Sequence, residues 1–132
     1  MSEYALEING LKKVYDNGVE ALKGIDLKIT KGDFFALLGP NGAGKSSTIG
    51  IISSITNKTD GNIKIFGVDI DKNFPKAKSF LGVVAQEINF SQFEKVEDIV
   101  ITQAGFYGIP KEAAKVRCRN LLEKLSLWDK RK

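Results

Sequence analysis

The stretch LLGPNGAGKSST, residues 37–48, limits what this chain can fold into more than any other feature. Gly39, Gly42 and Gly44 fall in one short bend that runs into Lys45, Ser46 and Ser47. Glycine reaches backbone conformations closed to residues with a Cβ, so consecutive N–H groups can point into a single concavity. The pattern GxxxxGKS requires a strand that delivers the chain to the bend and a helix that leaves it. The helix contributes unsatisfied N–H donors and the positive end of its dipole. Such a loop holds a phosphate chain. Lys45 supplies a mobile cation for β- and γ-phosphates, the Ser46 hydroxyl can ligate Mg²⁺, and Ser47 can add a contact near the α-phosphate. The base and the reaction stay open at this point, because a small nucleotide kinase, a GTPase and a transport ATPase can all own the loop.

The flanks are expected to supply both neighbours. DFFALLG, residues 33–39, is a nearly continuous apolar run ending in glycine, which predicts a buried central strand. After Lys45, SSTIGIISSI places Ile49, Ile52 and Ile55 at helical spacing, so a helix is predicted to start near Gly44. Upstream, YALEI and IDLKI alternate apolar and polar positions, with turn signals at Asn9-Gly10, Asn17-Gly18 and Lys31-Gly32, as antiparallel strands with tight turns do. Asp60-Gly61 reads as a turn into NIKIFG, and FLGVVAQ, residues 80–86, as a second buried strand. From Val96 the pattern turns helical: VEDIVITQAGFYG ends at a glycine and Pro110 opens another helix. That second helix gathers Ala113, Val116, Leu121, Leu122 and Leu125 near one face.

At 132 residues the chain fits one ordinary domain, and 42% hydrophobic with 27% charged residues are values of a globular protein. No run approaches the roughly 18 apolar residues of a membrane helix. The start, with Glu3 and Glu7, has neither the basic region nor the apolar core of a secretory signal, so a cytoplasmic protein is expected. Cys118 stands alone and reads as a structural thiol. The net charge of +4 comes from lysines spread along the chain, with arginine only at 117, 119 and 131. A nucleic-acid face clusters its cations and favours arginine, so no nucleic-acid partner is expected.

With Pro40, Asn41, Gly42 and Ala43 filling the variable positions, ALLGPNGAGKSST resembles the ATP-binding subunits of ABC transporters far more than kinases or GTPases. LKKVYDNGVEALKGIDLKI is similar to that family's opening hairpin, and Gly67 to Ile70 match its G-x-D-I turn. The resemblance implies an α/β fold: an incomplete P-loop NTPase core with an antiparallel β subdomain at the N-terminus and the start of a helical subdomain at the C-terminus. The corresponding regions are 1–32, 33–90 and 91–132. It implies ATP and Mg²⁺ as ligands, bound by Tyr15, Gly39, Asn41, Gly42, Ala43, Gly44, Lys45, Ser46 and Ser47. Tyr15 would stack on the adenine. Gln86 would reach Mg²⁺ and the attacking water through its amide, which donates and accepts without adding charge. Lys45 and Gln86 are then the catalytic candidates, and Ser46 and Gln86 the metal ligands. Ala85 stands where the family more usually has proline.

The resemblance also implies what to look for elsewhere. The family's LSGGQ-type signature and its apolar strand ending in Asp-Glu have no counterpart in these residues, and LSLWD at 125–129 lies in a helical pattern. The chain therefore reads as the first half or so of an ATP-binding subunit, able to bind ATP and hardly able to hydrolyse it, with apolar surface left uncovered. In full length such a subunit would pair head to tail with a second ATP-binding subunit and dock a transmembrane permease. It would lie peripherally on the inner face of the membrane and drive transport, with drug or polysaccharide export as the nearest group. A soluble ABC-type ATPase acting on ribosomes or DNA, and a small-molecule kinase, are the alternatives.

Overall fold

The computed structural model describes residues 2–87 and 90–132. By their contacts they form two compact units, Met1–Val83 and Val84–Lys132. The first unit is built on a four-stranded antiparallel sheet ordered β2-β1-β3-β4, from β1 (Tyr4–Val14), β2 (Glu20–Thr30), β3 (Asp60–Ile65) and β4 (Val68–Asp69). Helix α1 (Lys45–Ile52) and the short α2 (Phe74–Lys78) complete it. The second unit contains α3 (Val96–Phe106), α4 (Lys111–Lys124) and a 3₁₀ turn at Trp128–Lys130.

The predicted hairpin of β1 and β2 is present, closed at Asn17-Gly18 by a bond from Tyr15 N–H to the Val19 carbonyl at 2.9 Å. Asn9-Gly10, expected as a turn, lies inside β1 as a bulge. Ile8 and Leu11 are both fully buried, yet side chains three apart in a regular strand face opposite ways. One extra residue resolves the conflict, with Gly10 at φ 57 and its N–H donating to Asp26 Oδ1 at 2.7 Å. Asp60-Gly61, also expected as a turn, is the start of β3. Gly61 takes φ +96 and faces the bulge so closely that a Cβ would lie 2.6 Å from the Gly10 carbonyl oxygen and 2.6 Å from Leu11 Cα. Phe66 and Gly67, both at positive φ, link β3 to β4 as a type I′ loop requires. Ile8, Leu11, Leu22, Ile51, Ile63, Ile65 and Ala77 form the core between sheet and helices.

The helix at residue 45 is as expected, but its buried side is not. Ser47, Thr48, Gly50 and Ile51 are covered, while Ile49 and Ile55 are exposed. Three helices end alike. Ser54, Gly108 and Ser126 take left-handed φ, and the next residue's N–H returns to a carbonyl five residues back: Ile55 to Gly50, Ile109 to Ala104, Leu127 to Leu122. In α4 the buried residues are Ala114, Cys118 and Leu122, spaced four apart. Of the predicted face only Leu122 is covered; Ala113, Val116, Leu121 and Leu125 are exposed.

The two predicted buried strands are not formed. Residues 33–39 and 81–85 carry no regular structure, with Phe34, Leu38 and Val84 almost wholly exposed. A central strand exists only through ladder partners on its flanks, and among the described residues neither segment has one. Their apolar text is that of strands whose neighbours arrive by crossover from distant sequence.

Two outcomes test this description. Gly18 and Gly61 both need left-handed backbone, but nothing lies near Gly18's missing Cβ. Gly18→Ala should cost about 1 kcal/mol and Gly61→Ala at least about 3 kcal/mol in urea unfolding; equal losses would contradict the packing at the bulge. In the second unit, burial, and after it the charges of Glu97 and Asp98, push the Cys118 thiol above its ordinary value of 9.0. A protonated thiol favoured by the fold stabilises below that value and loses the contribution as pH rises through the raised one. Unfolding followed by Trp128 fluorescence should weaken above about pH 9, and less so in Cys118→Ala.

Candidate functional site

The glycine bend closes onto the start of α1. Gly44 is the helix N-cap at φ 90, and no side chain caps it. The first intrahelical bond runs from Thr48 N–H to the Gly44 carbonyl at 2.9 Å, so the N–H groups of Lys45, Ser46 and Ser47 have no partner within the helix. Gly44 must be glycine for two reasons. Its φ is left-handed, and a Cβ would meet Leu22 Cδ2 at 2.5 Å and the Ala21 carbonyl oxygen at 2.8 Å. The start of β2 therefore presses directly on the end of the loop. Gly39 is also confined, since a Cβ there would lie 3.1 Å from that of Ala43. Ala43 N–H closes the bend by donating to the Pro40 carbonyl at 3.2 Å.

Lys45 folds back over the loop, its ammonium donating to the Gly39 carbonyl and, at 3.4 Å, to that of Pro40. Tyr15, from the hairpin, reaches the same place: its hydroxyl lies 2.8 Å from Ser47 Oγ. Lys13 Nζ sits 4.8 Å from the centroid of the Tyr15 ring. Together these groups enclose a cavity of about 420 Å³ lined by Tyr15, Asn41, Gly42, Gly44, Lys45, Ser46 and Ser47, with Val19, Glu20, Ala21 and Pro40. Its lining combines the N–H donors of the helix start and a cation with Tyr15, Val19 and Ala21, which offer a surface suited to a flat apolar ring.

Of the expected binding residues in the first unit, Tyr15, Asn41, Gly42, Gly44, Lys45, Ser46 and Ser47 line the cavity, while Gly39 and Ala43 belong to the bend without lining it. Gln86 falls in the second unit, exposed and outside any helix or strand. The segment after it includes residues 88 and 89, which lie outside the described residues. The sequence reading missed Val19, Glu20 and Ala21. Their signal was proximity to Tyr15 across the Asn17-Gly18 turn, which folds residues 19–21 back beside it.

A larger cavity, about 550 Å³, lies at the other end of α1 among Ile51, Ser54, Thr56, Lys58, Asp71 and Phe74. Its lysine is already paired, Lys58 Nζ to Asp71 Oδ2 at 3.0 Å, and it lacks a bend of free N–H groups. Of the two, the smaller cavity has the donor array that suits a phosphate chain. For Mg²⁺ the fit is partial. The Ser46 hydroxyl lines the cavity, but no group of three or more His, Cys, Asp or Glu ligands occurs among the described residues. The donor set suits a cation that arrives on the phosphates and takes one protein hydroxyl.

Known proteins resemble this chain over nearly its whole length. The family model described as ABC transporter matches residues 22–132. The linearmycin resistance ATP-binding protein LnrL of Bacillus subtilis is 37% identical over 127 residues, covering 96% of this chain and 40% of that protein. The methionine import ATP-binding protein MetN of Helicobacter acinonychis is 33% identical over 129 residues, 95% of this chain and 39% of that protein. Among solved structures, cbiO1 from Clostridium perfringens, described as part of the ABC transporter complex cbiONQ, superposes with a TM-score of 0.81 at 28% identity, covering 98% of this chain and 53% of that one. The chain spans about two fifths of the length of these curated relatives and about half of the solved structure. Loop, hairpin and likeness converge: this chain belongs to the ABC transporter family, among its ATP-binding subunits.

Proposed function

We propose that the chain binds ATP with Mg²⁺ in the 420 Å³ cavity, and that the whole protein hydrolyses ATP to drive transport through a membrane permease. The observation that carries this reading is the meeting, in one cavity, of a helix-start N–H array, Lys45 and the Tyr15 ring. The loop N–H groups and Lys45 take the β- and γ-phosphates, Ser46 holds the cation and Tyr15 the adenine. Bound Mg²⁺ neutralises charge on the phosphate oxygens. Gln86 positions water for the attack when it is brought to the γ-phosphate. We assign regions 1–32, 33–90 and 91–132 to the β subdomain, the P-loop core and part of the helical subdomain.

Export is the direction we assign. The 37% identity to a resistance protein supports it, against 33% to an import protein. A transmembrane permease and a second ATP-binding subunit are the proposed partners, which places the whole protein peripherally at the inner membrane face. Among the described residues no helix is long and apolar enough to cross a membrane.

Phosphoryl transfer to water depends on placing the water and stabilising charge, so a chain without the Asp-Glu strand and the signature loses most of the rate. The 132-residue chain should bind MgATP and release phosphate at least about a hundredfold more slowly than 1 s⁻¹, the low end of ordinary turnover. Titration calorimetry should show Lys45→Ala weakening ATP by about tenfold or more, as loss of a charged contact does. Tyr15→Ala should weaken ATP too, and Gln86→Ala should leave binding nearly unchanged. At about a hundred times its dissociation constant ATP should stabilise the fold by about 2.7 kcal/mol, visible as a thermal shift. Turnover at ordinary rates, abolished by Lys45→Ala, would sink the claim of near-inactivity.

A further inference from the structure

Tyr15 is held at both ends. Its N–H donates to the Val19 carbonyl at 2.9 Å, and the preceding Val14 N–H donates to Thr59 Oγ1 at 2.9 Å. Lys13, whose ammonium lies over the ring, is itself fixed by a bond from Nζ to the Asn57 carbonyl at 2.7 Å. At its far end the hydroxyl meets Ser47 Oγ at 2.8 Å, and Ser47 is buried in the first turn of α1. A base-side residue is therefore bonded directly to a phosphate-side residue.

From this contact we propose that Tyr15 is a positioning residue for the phosphate chain as well as a platform for the base. Its hydroxyl orients the Ser47 hydroxyl toward the α-phosphate, so that the two ends of the nucleotide site are energetically coupled. The inference rests on the ATP-site reading above and goes beyond it. The hydrogen-bond inventory fixes its direction. A phosphate oxygen only accepts, so Ser47 must give it its one hydroxyl hydrogen. Ser47 Oγ can then only accept from Tyr15, which has one O–H to give. The chain runs from Tyr15 O–H to Ser47 Oγ, and from Ser47 O–H to the phosphate. Each link polarises the next, and the last bears on a charged acceptor. A ring alone, as in phenylalanine, keeps the stacking and the Lys13 contact but frees the Ser47 hydroxyl to turn elsewhere.

The test separates ring from hydroxyl with a ligand that has no base. Titration calorimetry of the 132-residue chain would use MgATP and magnesium tripolyphosphate, with Tyr15→Phe, Ser47→Ala, Ser47→Thr, the Tyr15→Phe/Ser47→Ala double variant and Lys45→Ala. Tyr15→Phe should weaken both ligands by about 3- to 10-fold, the range for one hydrogen bond to a polarised group. It should cause no further loss in the Ser47→Ala background, and Ser47→Thr, which keeps the hydroxyl, should bind close to the original chain. Unchanged tripolyphosphate binding in Tyr15→Phe overturns the proposal, as does an equal fold-loss with and without the Ser47 hydroxyl. If Lys45→Ala also leaves ATP binding unchanged, the site reading itself falls. If Lys45→Ala weakens ATP while Tyr15→Phe is silent, only the coupling falls.

Discussion

The approach of Gly44 to Ala21 and Leu22 is the contact on which the rest of the first unit depends. It joins two levels of structure that sequence keeps separate, a strand start and a helix start, at a place where there is no room for a methyl group. Leu22 is a core residue, so the position of the loop is set by the same burial that holds the sheet together. Ile51, two turns into α1, enters that core from the other end of the helix. The glycine loop thus borders the hydrophobic core, and core packing at Leu22 and Ile51 holds the helix whose first N–H groups face it. That is how a bend of exposed residues acquires a defined geometry: rigid elements on its C-terminal side hold it.

The same logic explains the hairpin. Tyr15 stands just past the end of β1, where alternation has already been reset by the bulge at Gly10. Without the extra residue, Leu11 would turn outward and every later residue of the strand would change face. Gly10 and Gly61 permit the bulge, and Asp26 ties it down, so a distant pair of glycines decides on which side of the sheet Lys13 and Tyr15 present themselves. Bulges often re-aim side chains near functional sites. Here Tyr15 is the residue that reaches the cavity beside the loop, with Lys13 over its ring.

Much of this was legible in the sequence, and the failures have physical reasons. GxxxxGKS specified the bend and the helix after it, because each position answers a local demand on φ, charge or hydrogen bonding. The hairpin at Asn17-Gly18, the glycine end of α3 and the start of α4 after Pro110 were legible for the same reason, but the helical pattern read on to 125–129 stops at Lys124, and Ser126 beyond it takes left-handed φ. Asn9-Gly10 and Asp60-Gly61 misled because the dipeptides that favour turns also favour bulges; only the pairing partner distinguishes them. The buried faces of α1 and α4 were misjudged because periodicity shows that apolar residues share a side, while the sheet or helix opposite chooses which side is covered. Ser47 and Thr48, polar residues, are buried where Ile49 is not. Residues 33–39 and 81–85 failed differently. A strand is a relation between segments, and an apolar run announces the need for partners without supplying them.

That absence sharpens what holds the loop. Among the described residues, 33–39 have no ladder partner, and the bend that follows them makes contacts of its own. The Lys45 ammonium bonds the Gly39 and Pro40 carbonyls, and the Ala43 N–H bonds that of Pro40. Under the proposed reading, Lys45 bonds the loop and the ligand with one ammonium. Two of its three donors go to these carbonyls, which leaves the third for a phosphate oxygen. An ammonium with three donors can also exchange its acceptors one at a time, keeping a bond to Gly39 while it takes the ligand. A guanidinium, planar and fixed in its fork, could not make that exchange stepwise. Under the proposed reading, the ammonium that takes the ligand also bonds the loop's own carbonyls, and lysine at position 45 is a side chain whose chemistry permits both.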